Sequence, residues 1–247
     1  MNKELKLLAL DLDGTLLTED KRITEATKRS IFQAVEKGII VLFATGRGLQ
    51  TSSAYMEELG LTGPMVFVNG AEIWKNPKEV WKRSFIDNKD LRKLYQLATE
   101  NGARFWGYNA DDLIHSTHWT PDLLKKDWLK FGISSENPIV LQKMWEIITE
   151  WGTLEVTQTE RTNMEITVKG VTKESGIREV CRLLSIEMEE VMAIGDSLND
   201  YYLISSAGLG VAMGNAIDEI KRVAAVTTDS NEHDGVAKAI NRYLLHC

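Results

Sequence analysis

The feature that most constrains this chain is a grammar repeated at both of its ends. A short run that is apolar throughout is followed by a turn carrying Gly or Asp, and then by a segment of helical period. Continuous apolar runs suit strands buried on both faces, and such strands are joined by crossover helices in parallel sheets. Leu7-Leu8-Ala9-Leu10 is the first of them. The spacing predicts a helix over 24–37, with Ile31, Ala34 and Val35 on one face, Thr24 as its cap and Gly38 at its stop. Ile39 to Phe43 resumes the sheet. A second helix is predicted from Leu49 to Leu59, closed by Gly60, and a third strand at Met65 to Val68.

The grammar returns in the last third of the chain. Ile177, Val180, Cys181 and Leu184 occupy one helical face, which makes Cys181 a core residue. Val191 to Ile194 reads as a strand ending at Gly195-Asp196. A helix through Leu203, a strand around Leu209 to Met213, a helix from about Ala216, a strand at Ala225 to Thr228 and a helix from Val236 to Leu245 follow. Residues 83–169 read differently, with mixed signals and five of the seven Trp: Trp106, Trp119, Trp128, Trp145 and Trp151. Their expected strands are Ala103 to Tyr108, Thr153 to Thr157 and Met164 to Val168, and their expected helices Lys89 to Glu100 and Ile139 to Thr149. The fold class is therefore α/β: a doubly wound, mostly parallel sheet built from residues 1–82 and 170–247, with an α+β cap inserted over 83–169.

Three early strands stop just before polar or glycine-bearing turns, and ligands of open parallel sheets bind at such carboxyl ends. Asp11-Leu12-Asp13-Gly14-Thr15 sets two carboxylates two positions apart beyond the first strand. Side by side they repel, and a divalent cation removes that penalty. A solvated Asp-rich turn is the plain alternative. Gly195-Asp196-Ser197-Leu198-Asn199-Asp200 follows a later strand. Asp196 and Asp200 can give Mg²⁺ hard oxygen ligands, while Asp196, Ser197 or Asn199 can equally cap a helix. Thr45-Gly46-Arg47-Gly48 and Lys173 add a hydroxyl and two cations suited to phosphate oxygens.

Charge narrows the ligand. A formal net charge of −7 and an isoelectric point near 5.3 leave no broad basic field for a nucleic-acid backbone or an anionic membrane surface. A phosphorylated small molecule is still compatible, because a metal ion or a few focused donors reverse the potential locally. No apolar run approaches the roughly 20 residues of a membrane-spanning helix. Cys181 and Cys247 form no disulfide framework, and the opening Met1-Asn2-Lys3-Glu4 lacks a secretory pattern, so a reducing cytoplasm is the expected compartment. His115 and His118 have no Cys nearby to complete a zinc site and are expected on the surface or against substrate.

In this order the motifs resemble the haloacid dehalogenase-like superfamily, and within it the Cof-type phosphatases with a large cap between the second and third motifs. Asp11 to Thr15 is similar to motif one, Thr45 to motif two, Lys173 to motif three and Gly195 to Asp200 to motif four. Asn69-Gly70-Ala71, the stretch Ala207 to Ala216 and Asp234-Gly235-Val236-Ala237 also resemble this branch. The resemblance implies a Rossmann-like core and Mg²⁺-dependent hydrolysis of a small phosphorylated metabolite, with sugar phosphates leading and pyridoxal or flavin-pathway phosphates next. It implies that Asp11 is the nucleophile forming an aspartyl-phosphate and Asp13 the general acid and base. Mg²⁺ would be held by the Asp11 side chain, the Asp13 backbone carbonyl and Asp196, with Asp200 a ligand or a support behind the ligands. Thr45, Lys173 and Asn199 would grip the phosphoryl group; Arg47 and Asn69 either touch substrate or hold the strand ends.

Asp13 argues against halide displacement, which needs no acid at that position. Tyr201-Tyr202-Leu203 departs from the aliphatic sequence expected after Asp200 and alters packing more than chemistry. A phosphotransferase or phosphomutase using the same intermediate, or a phosphometabolite-binding regulator without turnover, are the competing readings. Among the cap aromatics, Trp106 and Trp119 are candidates for stacking on substrate, while Arg104, Tyr108 and Glu165 have no place assigned by sequence. The expected assembly is a monomer or homodimer.

Overall fold

The computed structural model describes residues 4–246. Cys247 and the first three residues lie outside the described residues. In chain order the first third contains β1 (Leu7–Leu10), α1 (Glu25–Glu36), β2 (Ile40–Phe43), α2 (Ser53–Glu58), β3 (Met65–Phe67), β4 (Glu72–Asn76) and β5 (Glu79–Arg83). The middle holds α3 (Asn88–Glu100), β6 (Arg104–Asn109), β7 (Leu113–His115), β8 (Trp128–Ser134), α4 (Pro138–Glu150), β9 (Leu154–Thr157) and β10 (Asn163–Val168). The last third holds α5 (Lys173–Leu184), β11 (Val191–Gly195), α6 (Tyr201–Ser206), β12 (Leu209–Ala212), α7 (Asp218–Val223), β13 (Val226–Thr227) and α8 (Gly235–Ile240).

Five strands form one parallel sheet in the order β13-β12-β11-β1-β2. β1 lies between β2 and β11, with Leu7 opposite both Ile40 and Val191. All four of its residues are fully buried, as a run without a polar face requires. A single parallel bridge between Ala44 and Val66 carries the row on to β3. Helix α1 packs with α8, while α5 packs with α6 and α6 with α7, so two groups of helices cover the sheet. Thr24 caps α1 by accepting from the Thr27 amide, and its buried Ile31 and Ala34 enter the main core.

Local differences from the sequence expectation have local causes. The helix expected from Leu49 to Leu59 is a 3₁₀ turn, Leu49–Thr51, followed by α2, because Ser52 sits at φ −121° and interrupts it. The terminal helix continues past Ile240 as a π turn, Asn241–Leu245. β3 also carries an antiparallel partner: β3, β4 and β5 form a three-stranded sheet that the sequence reading lacked.

A second, antiparallel sheet has the order β7-β6-β8-β10-β9. Its own apolar cluster joins Leu91, Leu94, Leu141, Met144 and Ile148 from α3 and α4 to Phe105, Phe131, Ile133, Met164 and Ile166 from the strands. Because side chains alternate along a strand, Trp106, Tyr108, Lys130 and Glu165 lie on the opposite face. There the sheet meets the carboxyl ends of the parallel strands.

Candidate active site

Asp11 directly follows β1, and its amide donates to Ile194 O of the neighbouring strand at 3.1 Å. The chain reverses through Gly14, at φ +74°. A side chain there would also collide with Asp196, since a Cβ on Gly14 would stand 2.4 Å from Asp196 Oδ2. Thr15 Oγ1 donates to Asp196 Oδ1 at 3.0 Å, tying the turn after β1 to the turn after β11. Asp200 Oδ2 accepts from the amides of Asp196 and Ser197 at 3.0 and 3.2 Å.

Lys173 opens α5, where the helix dipole disfavours a cation. Two carboxylates offset this: its Nζ donates at 2.7 Å to Asp11 Oδ1 and at 2.7 Å to Asp200 Oδ1, all three groups being buried. Asp11, Asp196 and Asp200 each offer an oxygen, and these atoms lie within 4.8 Å of one another. Burial, the nearby Asp200 charge and only partial compensation push the Asp196 carboxyl up to about 7. Burial likewise raises Asp11 well above the usual carboxylate range, with Lys173 opposing and Asp200 and Asp196 adding to the shift. Three converging acids against one ammonium leave a deficit of positive charge, and hard oxygen donors in this number suit a Mg²⁺-like ion.

Asp13 is treated differently. Arg47 grips it with two bonds, Nε to Oδ2 at 2.6 Å and Nη2 to Oδ1 at 2.7 Å, and Lys21 Nζ donates to Oδ1 at 2.6 Å. Burial alone would raise its carboxyl, but these donors outweigh it and hold the group at about 2. After β2, buried Thr45 accepts the Arg47 amide on its hydroxyl at 3.1 Å, and the Asn69 amide donates to Thr45 O at 2.9 Å. Val68 and Asn69 both take left-handed backbone, at φ 52° and 55°. Asn tolerates that region, whereas for β-branched Val it stores strain of about 1–3 kcal/mol beside the site.

Asp11, Asp13, Thr45, Arg47, Asp196 and Asn199 line one cavity of about 400 Å³. Lys173 and Asp200 stand behind Asp11, and Asn69 reaches the cavity wall through Asn199. A larger cavity of about 770 Å³ opens at the other end of the sheet, by Leu5, Ile39 and Leu209, away from these groups. Volume is therefore not what marks the site.

A family model described as haloacid dehalogenase-like hydrolase matches residues 8–127 and 114–240 of this chain. The chain belongs to the haloacid dehalogenase-like hydrolases. Among similar proteins, the Bacillus subtilis 5-amino-6-(5-phospho-D-ribitylamino)uracil phosphatase YcsE is 35% identical over 242 residues, covering 98% of this chain and 97% of that protein. A second Bacillus subtilis 5-amino-6-(5-phospho-D-ribitylamino)uracil phosphatase, YitU, is 29% identical over 261 residues, covering 96% of this chain and 97% of that protein. A solved haloacid dehalogenase-like hydrolase from Bacteroides thetaiotaomicron superposes with a TM-score of 0.81 at 28% identity, covering 97% of this chain and 99% of that one. A sugar phosphatase of the superfamily's subclass IIB gives 0.87 at 24% identity, covering 97% and 99%, which speaks for the fold. This haloacid dehalogenase-like hydrolase is a Cof-type phosphatase, a phosphoric monoester hydrolase. Members generally use Mg²⁺, and the Asp11, Asp196 and Asp200 cluster is where such an ion fits. No helix among the described residues is long and apolar enough to cross a membrane.

Lys21 and Lys130, both in this phosphatase's cavity, carried no sequence signal. Trp106, Tyr108 and Glu165 line the same cavity. Of the two Trp singled out for stacking, only Trp106 faces the cavity. Trp119 belongs to the cap's aromatic cluster, stacked on Trp128 at 4.4 Å and edge-on to Phe105 and Phe131. Arg104 is on the surface, paired with Glu136. His115 and His118 are exposed and belong to no metal-holding group found among the described residues. Cys181 is a buried free thiol, pushed up to about 11 by burial.

Proposed function

We propose that this phosphatase hydrolyses a small-metabolite phosphomonoester through an aspartyl-phosphate on Asp11, with Asp13 as general acid and base. The observation that carries the reading is the unequal environment of the two acids two positions apart. Asp11 is buried against Lys173 and the metal-type cluster, whereas Asp13 is part-exposed and faces the cavity beneath the cap sheet. Different environments give two carboxylates different work. Residues 83–169 serve as the cap that selects the leaving group, and residues 1–82 and 170–247 as the catalytic platform.

In the first step an Asp11 oxygen attacks phosphorus, the ester P–O bond breaks, and Asp13 gives its proton to the departing alkoxide. In the second, Asp13 takes a proton from water, the water oxygen attacks phosphorus, and the acyl-phosphate bond breaks to return Asp11 and release phosphate. Asp11, the Asp13 carbonyl and Asp196, with Asp200 in support, would hold Mg²⁺, which would supply charge neutralisation to the phosphoryl oxygens. Thr45, Lys173 and Asn199 grip those oxygens as charge builds up. Arg47 and Lys21 hold Asp13 ionised without substrate. Turning to the phosphate, they free Asp13 to carry its proton.

A phosphorylated sugar or polyol is the substrate class, and the activities of YcsE and YitU put 5-amino-6-(5-phospho-D-ribitylamino)uracil first in a panel assayed by kcat/KM. Trp106 and Tyr108 offer aromatic surface to a heterocycle at the far end of such a chain. Acid-quenched single-turnover reactions with Mg²⁺ test the mechanism. The wild-type protein should trap phosphate covalently and Asp11→Asn should neither trap it nor turn over; a turning-over Asp11→Asn removes the nucleophile from this scheme.

A further inference from the structure

Lys130 of β8 and Glu165 of β10 form an ion pair at 2.5 Å with side chains only 1% and 9% exposed, on the face of the cap sheet turned towards the parallel strands. Both reach across to the core. Lys130 Nζ also donates to Gly46 O at 2.6 Å, and Asn69 Nδ2 donates to Glu165 Oε2 at 2.7 Å. The row continues: Asn199 Nδ2 donates to Asn69 Oδ1 at 3.2 Å, and Ser197 Oγ donates to Asn199 Oδ1 at 2.9 Å. A buried ion pair is costly to desolvate, so its presence here calls for a reason other than stability.

We infer that Lys130 and Glu165 are positioning residues: the cap's ion pair sets the direction of an amide relay that aims the Asn199 N–H group at the phosphate. An ionised carboxylate only accepts hydrogen bonds, so Glu165 compels Asn69 to turn its NH₂ towards the cap and its carbonyl towards Asn199. Asn199 must then present its own NH₂, while Ser197 occupies its carbonyl. One N–H of Asn199 is left for a phosphoryl oxygen. Lys130 pairs with Glu165 and fixes the Thr45-Gly46 turn through the Gly46 carbonyl. Seating the cap and orienting the phosphate donors are thereby one event: among the described residues the core side chain bonded to this amide pair is Ser197, whose hydroxyl can donate or accept and so sets no direction.

The inference rests on Asn199 as a phosphate ligand, and its test reads binding rather than turnover. Inorganic phosphate is titrated calorimetrically into the protein with Mg²⁺, below the melting temperature of each variant. In Glu165→Gln the Lys130 ammonium, a donor only, takes the amide oxygen and leaves the NH₂ facing Asn69, so the relay is reversed. Phosphate affinity should fall about tenfold or more, the worth of a charge-assisted hydrogen bond. Asn69→Ala, which leaves the ion pair intact, should weaken phosphate similarly. The double variant Glu165→Gln/Asn69→Asp restores an obligate acceptor facing Asn199 and should recover most of the affinity, which a merely structural role for Glu165 would not produce. Unchanged affinity in both single variants, or a double variant no better than Glu165→Gln, overturns the inference. A different nucleophile would leave Asp11→Asn turning over but would produce neither result.

Discussion

Replacing Lys173 by Met keeps the volume and hydrocarbon stem of the side chain while removing the one ammonium bonded to both Asp11 and Asp200. The lysine side chain is 0% exposed, and its carboxylate partners 6% and 1%. Removing one partner from such a buried pair costs about 3–5 kcal/mol, because the charge left behind has lost its counter-ion without regaining water. Two carboxylates are stranded here, so the upper part of that range applies at mildly alkaline pH without metal. The loss is a large share of the roughly 5–15 kcal/mol that holds a domain together. It corresponds to a melting point lower by roughly 6–20 °C in a chain of this size. Acid should shrink the deficit, since burial already raises Asp11 and a proton can take over part of the ammonium's work. Millimolar Mg²⁺ should shrink it too. Urea titrations followed by far-UV circular dichroism, with chelator and with Mg²⁺, measure each term. A metal-free Lys173→Met protein within about 1 kcal/mol of the parent at pH 8 would mean that the three side chains do not share a desolvated pocket.

Asp196, pushed up to about 7 in the folded chain, titrates near 3.8 when unfolded, so the native state binds the extra proton. Its contribution is fully present below that lower value and is lost as pH rises through about 7 in metal-free protein. Mg²⁺, which needs the ionised form, should flatten the slope, and an Asp196→Asn variant with the same metal-free pH profile as the parent contradicts the assignment. Gly14→Ala adds a side chain at a positive φ and against the Asp196 carboxylate, and should weaken Mg²⁺ by about 10- to 100-fold in a calorimetric titration. Parental affinity would show that this turn does not seat Asp196.

Legibility followed burial symmetry. β1, β2 and β11 read directly from sequence because strands covered on both faces need no polar positions, and α5 read from its single apolar stripe. β8 was invisible for the opposite reason. Trp128-Leu129-Lys130-Phe131-Gly132-Ile133-Ser134 places a lysine and a glycine in a strand that is buried almost throughout, which breaks any apolar pattern. Gly132 is required because the Trp106 ring lies over it: a Cβ would stand 2.1 Å from Trp106 Cε2. The same exception hid the cap's part of the site. Asp11, Asp13, Asp196 and Asp200 could be found because each sits just past a strand end, where an acid has no core to join. Lys130 and Glu165 are 35 residues apart and meet only through the register of β8 and β10. Lys21, likewise, is an ordinary surface lysine until the fold lays it on Asp13.

The position of β1 also bears on how the chain is born. One of its neighbours, β2, follows within a few dozen residues, but the other, β11, is paired from Leu7 to Val191. A ribosome must therefore finish most of the polypeptide before the apolar first strand is covered on both edges, and such long-range pairing is slow. The antiparallel sheet from Arg104 to Val168 draws all its strands from one contiguous stretch. Pulse-labelled hydrogen exchange during refolding should find amides of β8 and β10 protected ahead of those of β1 and β11; the reverse order would show that nucleation begins in the parallel sheet. Until that late closure, the nascent N-terminal segment carries a greasy, open-edged strand of the kind that chaperones hold.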